Sequence, residues 1–157
     1  MDAKHQVSKL RSAAQLDVDA VGAYDAAIHG VADDLIRDRL AEFRGDHLRH
    51  IADLNLVIHD LGGETVDAKA DLRGAVMKGM TAMSSLMGTE ATLLAMMGNE
   101  EVTNHAYDAV LSLSWSDDIR KLLERNREDE RRHLNLIRSA AREHSPLHFE
   151  VQEEARA

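Results

Sequence analysis

Two short patterns interrupt helical stripes that are otherwise apolar: His47-x-x-His50 and Glu130-x-x-His133. Residues i and i+3 on a helix point the same way, so each pattern offers two ligand-type groups to one spot. Asp17 and Glu100 interrupt two further stripes in the same manner. Carboxylates and imidazoles are donors that suit iron, zinc and manganese. Buried, each is costly unless it is paired or bound to a cation. The chemistry these residue types support is therefore metal binding. The chain has no cysteine, which removes disulfides, thiolate-held zinc, iron–sulfur clusters and a thiol nucleophile.

Helices must position these groups. A chain of 157 residues with 3% aromatics, nine Gly and one Pro is one domain, and it lacks the strand and turn residues of a sandwich or barrel. Periodicity predicts a first helix from about Val7 to His29, broken at Gly30, and a second from an Asp33 cap to Leu61, ended by Gly62-Gly63. A third spans Ala91 to Leu113 and tolerates Gly98. A fourth starts after Ser114, whose spacing to Asp117 is that of a capping box, and ends near Glu143 before Pro146. Short turns make helices one and two, and three and four, antiparallel hairpins. About 25 residues join the hairpins, enough to cross the bundle. The expectation is an all-α antiparallel four-helix bundle over residues 1–144, with one long crossover between helices two and three and an acidic tail over 145–157. Val76, Met80, Met83 and Met87 read as core filler on a short crossover helix.

The sequence matches itself at a shift of 83. Ala23-Tyr24-Asp25-Ala26-Ala27-Ile28 falls on Ala106-Tyr107-Asp108-Ala109-Val110-Leu111, and Asp46 to Ile51 falls on Asp129 to Leu134. The halves read as one hairpin used twice about a pseudo-two-fold axis. Depth supports this. Asp17 precedes Gly30 by thirteen residues and His47 follows Asp33 by fourteen, while Glu100 and Glu130 each lie fifteen from Trp115. At about 1.5 Å per residue, all four lie roughly 20 Å from that end of their hairpin. Asp17, His47, His50, Glu100, Glu130 and His133 have the composition of a coordination shell at one level.

Over residues 7–143 the chain resembles the ferritin-like superfamily, in particular its small bacterial members of uncharacterised function. The acid–Ala–Tyr pattern, Leu61-Gly62-Gly63 after helix two and Gly98-x-Glu100 carry the likeness. In bacterioferritin and rubrerythrin the helix-one ligand precedes a Tyr by seven residues, as Asp17 precedes Tyr24 and Glu100 precedes Tyr107. The resemblance implies a di-iron carboxylate bundle. Asp17 and Glu100 would be terminal carboxylates, His47 and Glu130 would take the bridging positions, and His50 and His133 would be terminal imidazoles. It further implies that Asp46 orients His133 and Asp129 orients His50, with Tyr24, Tyr107 and Asn104 adding hydrogen bonds.

The chain departs from that pattern. His47 stands where a bridging Glu is expected, and Asp17 is a methylene shorter than Glu. Three carboxylates and three imidazoles replace four and two, a set that suits one ion or an unequal pair, iron first, with zinc or manganese as alternatives. The functional expectation is iron or peroxide oxidation, with dioxygen or peroxide as substrate, or iron handling. The alternatives are a stress or structural bundle whose polar core satisfies itself or holds one structural ion, and a larger iron-storing cage. A homodimer is the expected assembly. The net charge of −9 argues against nucleic-acid and anionic-membrane partners, and the absence of an apolar N-terminal run points to the cytoplasm. His105 is expected on the surface, as are His5, His29, His59, His144 and His148. The run Arg125 to Arg132 reads as a solvated face with i,i+4 pairs.

Overall fold

A computed structural model describes residues 1–67 and 88–144. The Met-rich stretch and the acidic tail named above lie outside them. Four helices make up the fold: α1 (Ala3–Gly30), α2 (Asp34–Asp60), α3 (Gly88–Leu111) and α4 (Asp117–Glu143). No strand occurs among the described residues. The chain is an all-α four-helix bundle. The repeat is visible in the boundaries themselves, since a shift of 83 carries α2 onto α4 end to end.

Capping decides where the helices start. Asp2 accepts a hydrogen bond from the His5 amide at 2.8 Å, which starts α1 four residues earlier than the apolar period announces. Asp33 caps α2 through the Ile36 amide at 3.1 Å. The capping box expected from Ser114 does not form. Ser116 is the N-cap of α4 and its side chain makes no capping bond, so Asp117 and Asp118 are left to complement the helix dipole in the first turn. Helix α1 does end at Gly30, one residue beyond His29. A Cβ on that glycine would come within 3.0 Å of Thr92 Oγ1, so its role is close approach of α1 to α3. Helix α3 runs unbroken through Gly98. At the far end Gly62 takes φ 76°, and a Cβ on Gly63 would strike Val7 at 2.5 Å.

Helix α1 packs on both α2 and α3, α4 packs on α3, and α2 meets α4 more lightly. Val7 lies against Gly63, while the Ala32 amide bonds Thr89 Oγ1. The ends of the connection from α2 to α3 therefore lie at opposite ends of the bundle. Asn55 holds the departing chain through a reciprocal pair with the Val66 backbone, at 3.0 and 2.9 Å.

Two apolar clusters fill the interior. One gathers Leu10, Val18, Val21, Ile51, Leu54, Ile58, Tyr107 and Leu123, and the other gathers Tyr24, Leu40, Phe43, Leu93, Met96 and Ile137. Burying each Leu, Ile or Phe contributes roughly 1.5–3 kcal/mol. Between the clusters lies a polar layer, which the same ledger disfavours.

Candidate metal centre

All six residues singled out for their ligand chemistry lie in that layer. Asp17, His47, His50, Glu100, Glu130 and His133 are each 0% exposed. They form two overlapping quartets. Asp17, His47, His50 and Glu130 make one, and His47, Glu100, Glu130 and His133 the other. Within each, one ligand atom per residue lies within 4.8 Å of all the others. An ion held at about 2.0–2.2 Å by each donor needs ligand atoms up to roughly 4 Å apart, so either quartet closes on a cation with small side-chain shifts. His47 and Glu130 belong to both.

The outer ring follows the repeat. His50 Nε2 donates to Asp129 Oδ2 at 3.2 Å, and His133 Nε2 donates to Asp46 Oδ2 at 3.0 Å. Because a carboxylate only accepts, each bond turns Nδ1 of its imidazole inward. Tyr24 donates to Glu100 Oε1, and Tyr107 donates to Asp17 Oδ2 at 2.7 Å. Each tyrosine thus serves the acid of the other hairpin. Asn104 donates to the backbone carbonyls of Glu100 (2.7 Å) and Glu130 (3.0 Å), tying α3 to α4 beneath the two acids.

Several contributors carry no role in the sequence reading. Arg49 bonds both Asp46 and Asp129, and Arg132 bonds Asp46. Their match at the shift of 83 was the available signal. Phe43 stacks on His133 with ring centroids 4.3 Å apart, and Asn126 donates to the Tyr107 hydroxyl at 3.3 Å. The arginine run of α4 also differs from its expected i,i+4 pairing. Arg125 reaches Asp53 on α2, Arg127 reaches Asp108 on α3, and Arg131 pairs with Glu128 at i,i+3. His5, His29, His59 and His105 are exposed and His144 is half-buried, all outside the centre.

Charge is shared unequally. Burial pushes Asp17 up, but hydrogen bonds from His47 and His50 outweigh it and hold the carboxyl below its ordinary value. Burial lowers His47, but the Glu130 charge, the bond to Asp17 and the nearby Glu100 carboxylate raise it well above 6.5. For His50 burial again opposes, and the bonds to Asp129 and Asp17 together with the Glu130 carboxylate 3.3 Å away push it to about 10. His133 goes the other way, because burial together with the His47 charge outweighs Asp46. Burial and the nearby carboxylates raise both tyrosines, Glu100 acting on Tyr24 and Asp17 on Tyr107, which keeps them protonated donors. Without metal, the surroundings thus favour the cationic form of His47 and His50 and the neutral form of His133.

Buried His, Asp and Glu groups that can hold a metal ion are therefore a property of the fold, and the donor types alone do not select the metal. No described helix is long and apolar enough to cross a membrane. Neither a curated protein nor a solved structure matches the chain. The model of one family, described as a domain of unknown function (DUF2383), matches residues 5–113, which take in α2, α3 and nearly all of α1, and the chain belongs to that family.

Proposed function

We propose that this protein is a ferritin-like metal-binding bundle whose buried centre holds transition-metal ions, iron first, for iron or peroxide oxidation or for iron handling. The observation that carries the reading is the pair of quartets interlocked through His47 and Glu130, buried on four helices and oriented from outside by Asp46 and Asp129. Without a cation, Glu100 Oε2, both Glu130 oxygens and His133 Nδ1 have no hydrogen-bond partner. Buried and unpaired, such atoms cost about 1–3 kcal/mol each, more when charged. Coordination would satisfy them, which is why the residues fit a metal.

When bound, iron would supply one-electron chemistry toward dioxygen or peroxide. The chain's own residues do the remaining work. Tyr24 and Tyr107 fix the acids, Asp46 and Asp129 fix the imidazoles, and the two apolar clusters exclude bulk water above and below. A second copy of the chain is the proposed partner, supported by exposed Leu35, Leu94 and Leu136; elution as a monomer from a sizing column removes that part.

The test is metal content by plasma mass spectrometry of protein purified without chelators, beside Glu130→Ala. Iron retained by the wild type and lost by the variant is the expected result, followed by oxidation of Fe²⁺ or consumption of peroxide. A second reading, a structural bundle with a self-satisfied core, draws on Asp17. Both of its oxygens are already engaged, by His47, His50 and Tyr107. Metal-dependent thermal stability without turnover would favour that reading.

A further inference from the structure

The two quartets share His47 and Glu130, but they are not equally ready for a cation. On the Asp17 side the hydrogen bonding is complete. Asp17 Oδ1 accepts from His47 Nδ1 at 2.8 Å and from His50 Nδ1 at 3.3 Å, and its Oδ2 accepts from Tyr107 at 2.7 Å. His50 spends its other nitrogen on Asp129. No atom of Asp17 or His50 is left without a partner. Elsewhere in the centre five buried atoms are: His47 Nε2, Glu100 Oε2, Glu130 Oε2, His133 Nδ1, and Glu130 Oε1, which lies 3.3 Å from His50 Nδ1 and 3.4 Å from His47 Nδ1 between the two quartets. All five belong to the four residues of the second quartet. Among the described residues only Asn99 Nδ2 and Asn126 Oδ1 are otherwise in that condition.

His47 explains the split. The ring nitrogens of an imidazole point in diverging directions, and each carries one lone pair or one proton. Nδ1 is committed to Asp17. Nε2 faces the other way, 3.5 Å from Glu100 Oε1. A carboxylate at this position could give an oxygen to each of two ions. The imidazole could do so only by losing both ring protons and its bond to Asp17.

We infer that the centre takes a single divalent first-row transition ion, between His47 Nε2, Glu100, Glu130 and His133 Nδ1, and that Asp17 is the positioning residue that holds His47. The inference rests on the metal-binding reading above and deepens it. Two nitrogens and two carboxylates make a four-donor set suited to tetrahedral Zn²⁺, Co²⁺ or Fe²⁺. Glu100 and Glu130 together neutralise one dication, while Asp17 stays paired with the imidazoles beside it. The arrangement Asp17–His47–ion has the form of a carboxylate–histidine–metal relay.

Anaerobic titration of metal-stripped protein with Co²⁺ tests this, because Co²⁺ absorption reports coordination geometry and equilibrium dialysis reports the count. One Co²⁺ per chain with intense tetrahedral bands is expected. Glu100→Gln should abolish binding. Asp17→Asn should keep one ion per chain with affinity lowered about 10–100-fold. His47→Glu should raise the count toward two. Helical circular dichroism of each variant confirms folding, and the wild-type count needs no variant at all. Two Co²⁺ per wild-type chain would overturn the single-ion inference and leave metal binding standing. So would loss of binding in Asp17→Asn as complete as in Glu100→Gln, since Asp17 would then be a ligand. A His47→Glu chain that still takes one ion would overturn the role given to the imidazole. A wild-type chain that binds no Co²⁺ would remove both this inference and the function it rests on.

Discussion

The α1–α2 hairpin and the α3–α4 hairpin carry the same scaffold and different chemistry. Tyr24 serves Glu100 as Tyr107 serves Asp17, Asp129 holds His50 as Asp46 holds His133, and Arg44 pairs with Asp25 as Arg127 pairs with Asp108. Each pair of positions is related by the shift of 83. Against this background few differences matter. His47 faces Glu130 across the axis, Phe43 occupies the place of Asn126, and Val21 that of Asn104. The effect is to close one end of the polar layer and open the other. Asp17 is saturated by hydrogen bonds, while Glu100 and Glu130 keep unpartnered oxygens. A duplicated scaffold supplies positions, and differences at shared positions, His47 against Glu130 and Asp17 against Glu100 first among them, decide how those positions divide a charge.

The largest test of this contrast is stability without metal. Asp17→Ala strands His47, His50 and the Tyr107 hydroxyl in the interior, and breaking a buried ion pair from one side costs about 3–5 kcal/mol. Glu100→Gln keeps an acceptor for Tyr24 and removes a buried charge with an unpaired oxygen, so its effect should stay within roughly 1 kcal/mol of zero. Urea midpoints in chelator measure both. Equal losses would mean that the two ends of the layer are equally satisfied and that the asymmetry has no energetic content.

Acidity is the next lever on the metal-free chain. His47 and His50 sit above their ordinary 6.5, so they bind protons that the unfolded chain has released. Their contribution is whole below pH 6.5 and declines as pH rises, until it is gone beyond the folded value of about 10 for His50. Asp17, Asp46 and Asp129 sit below the ordinary 3.8, so their contribution is whole above that pH and is lost in stronger acid. His133 is also lowered, and it withdraws stability below pH 6.5. The urea midpoint should therefore peak near pH 6 and fall steadily toward pH 10. A flat profile between pH 6.5 and 10 would contradict cationic His47 and His50.

The tyrosines come next in size. A hydrogen bond to a charged acceptor is worth about 1.5–3 kcal/mol. Tyr107→Phe breaks a network in which Asn126 also takes part, and Tyr24→Phe breaks one bond to Glu100. Both should lower the midpoint, Tyr107→Phe by more. The reverse order in chelator would place the greater hydrogen-bonding demand on Glu100.

The gathering of six polar residues was legible because spacing and depth are arithmetic on a helix. A stripe that alternates three and four residues admits few registers, and a repeat at constant shift applies the same constraint twice. The four helices were legible for the same reason. Helix starts were less so. Lys4, His5 and Gln6 have no apolar period, and only the bond from Asp2 extends α1 over them. Ser114 had the right spacing for a cap, but the backbone turns into the helix two residues later. Which way His47 turns its ring was beyond the sequence, because it depends on Asp17 and Glu100, each brought in from a different helix. The arginine run of α4 failed for a related reason. Local i,i+4 rules see one helix, whereas Arg125 and Arg127 find acids on α2 and α3.

Those arginines supply the smallest and most symmetric comparison. Arg44–Asp25 closes the α1–α2 hairpin and Arg127–Asp108 closes α3–α4, each at 2.5 Å. Both Arg44 partners are about one-third exposed, whereas Asp108 is more than half exposed. Asp108 is thus the acid more open to solvent and salt, although Arg127, 23% exposed, is the more buried arginine, and exposed pairs are typically worth about 0–1 kcal/mol. Arg127 has a further bond, to Asn104 Oδ1 at 2.6 Å, and Asn104 in turn holds the backbone carbonyls of Glu100 and Glu130. The two variants should therefore separate by salt. Arg44→Gln should cost about 0.5–1 kcal/mol, with part of that cost disappearing in 1 M NaCl. Arg127→Ala should cost a similar amount with weaker salt dependence, because the bond it loses to the neutral Asn104 Oδ1 is little screened by salt. If added salt erases both costs equally, Arg127 is a surface charge like any other, and the link from the outer face of α4 through Asn104 to the two acids carries no energy.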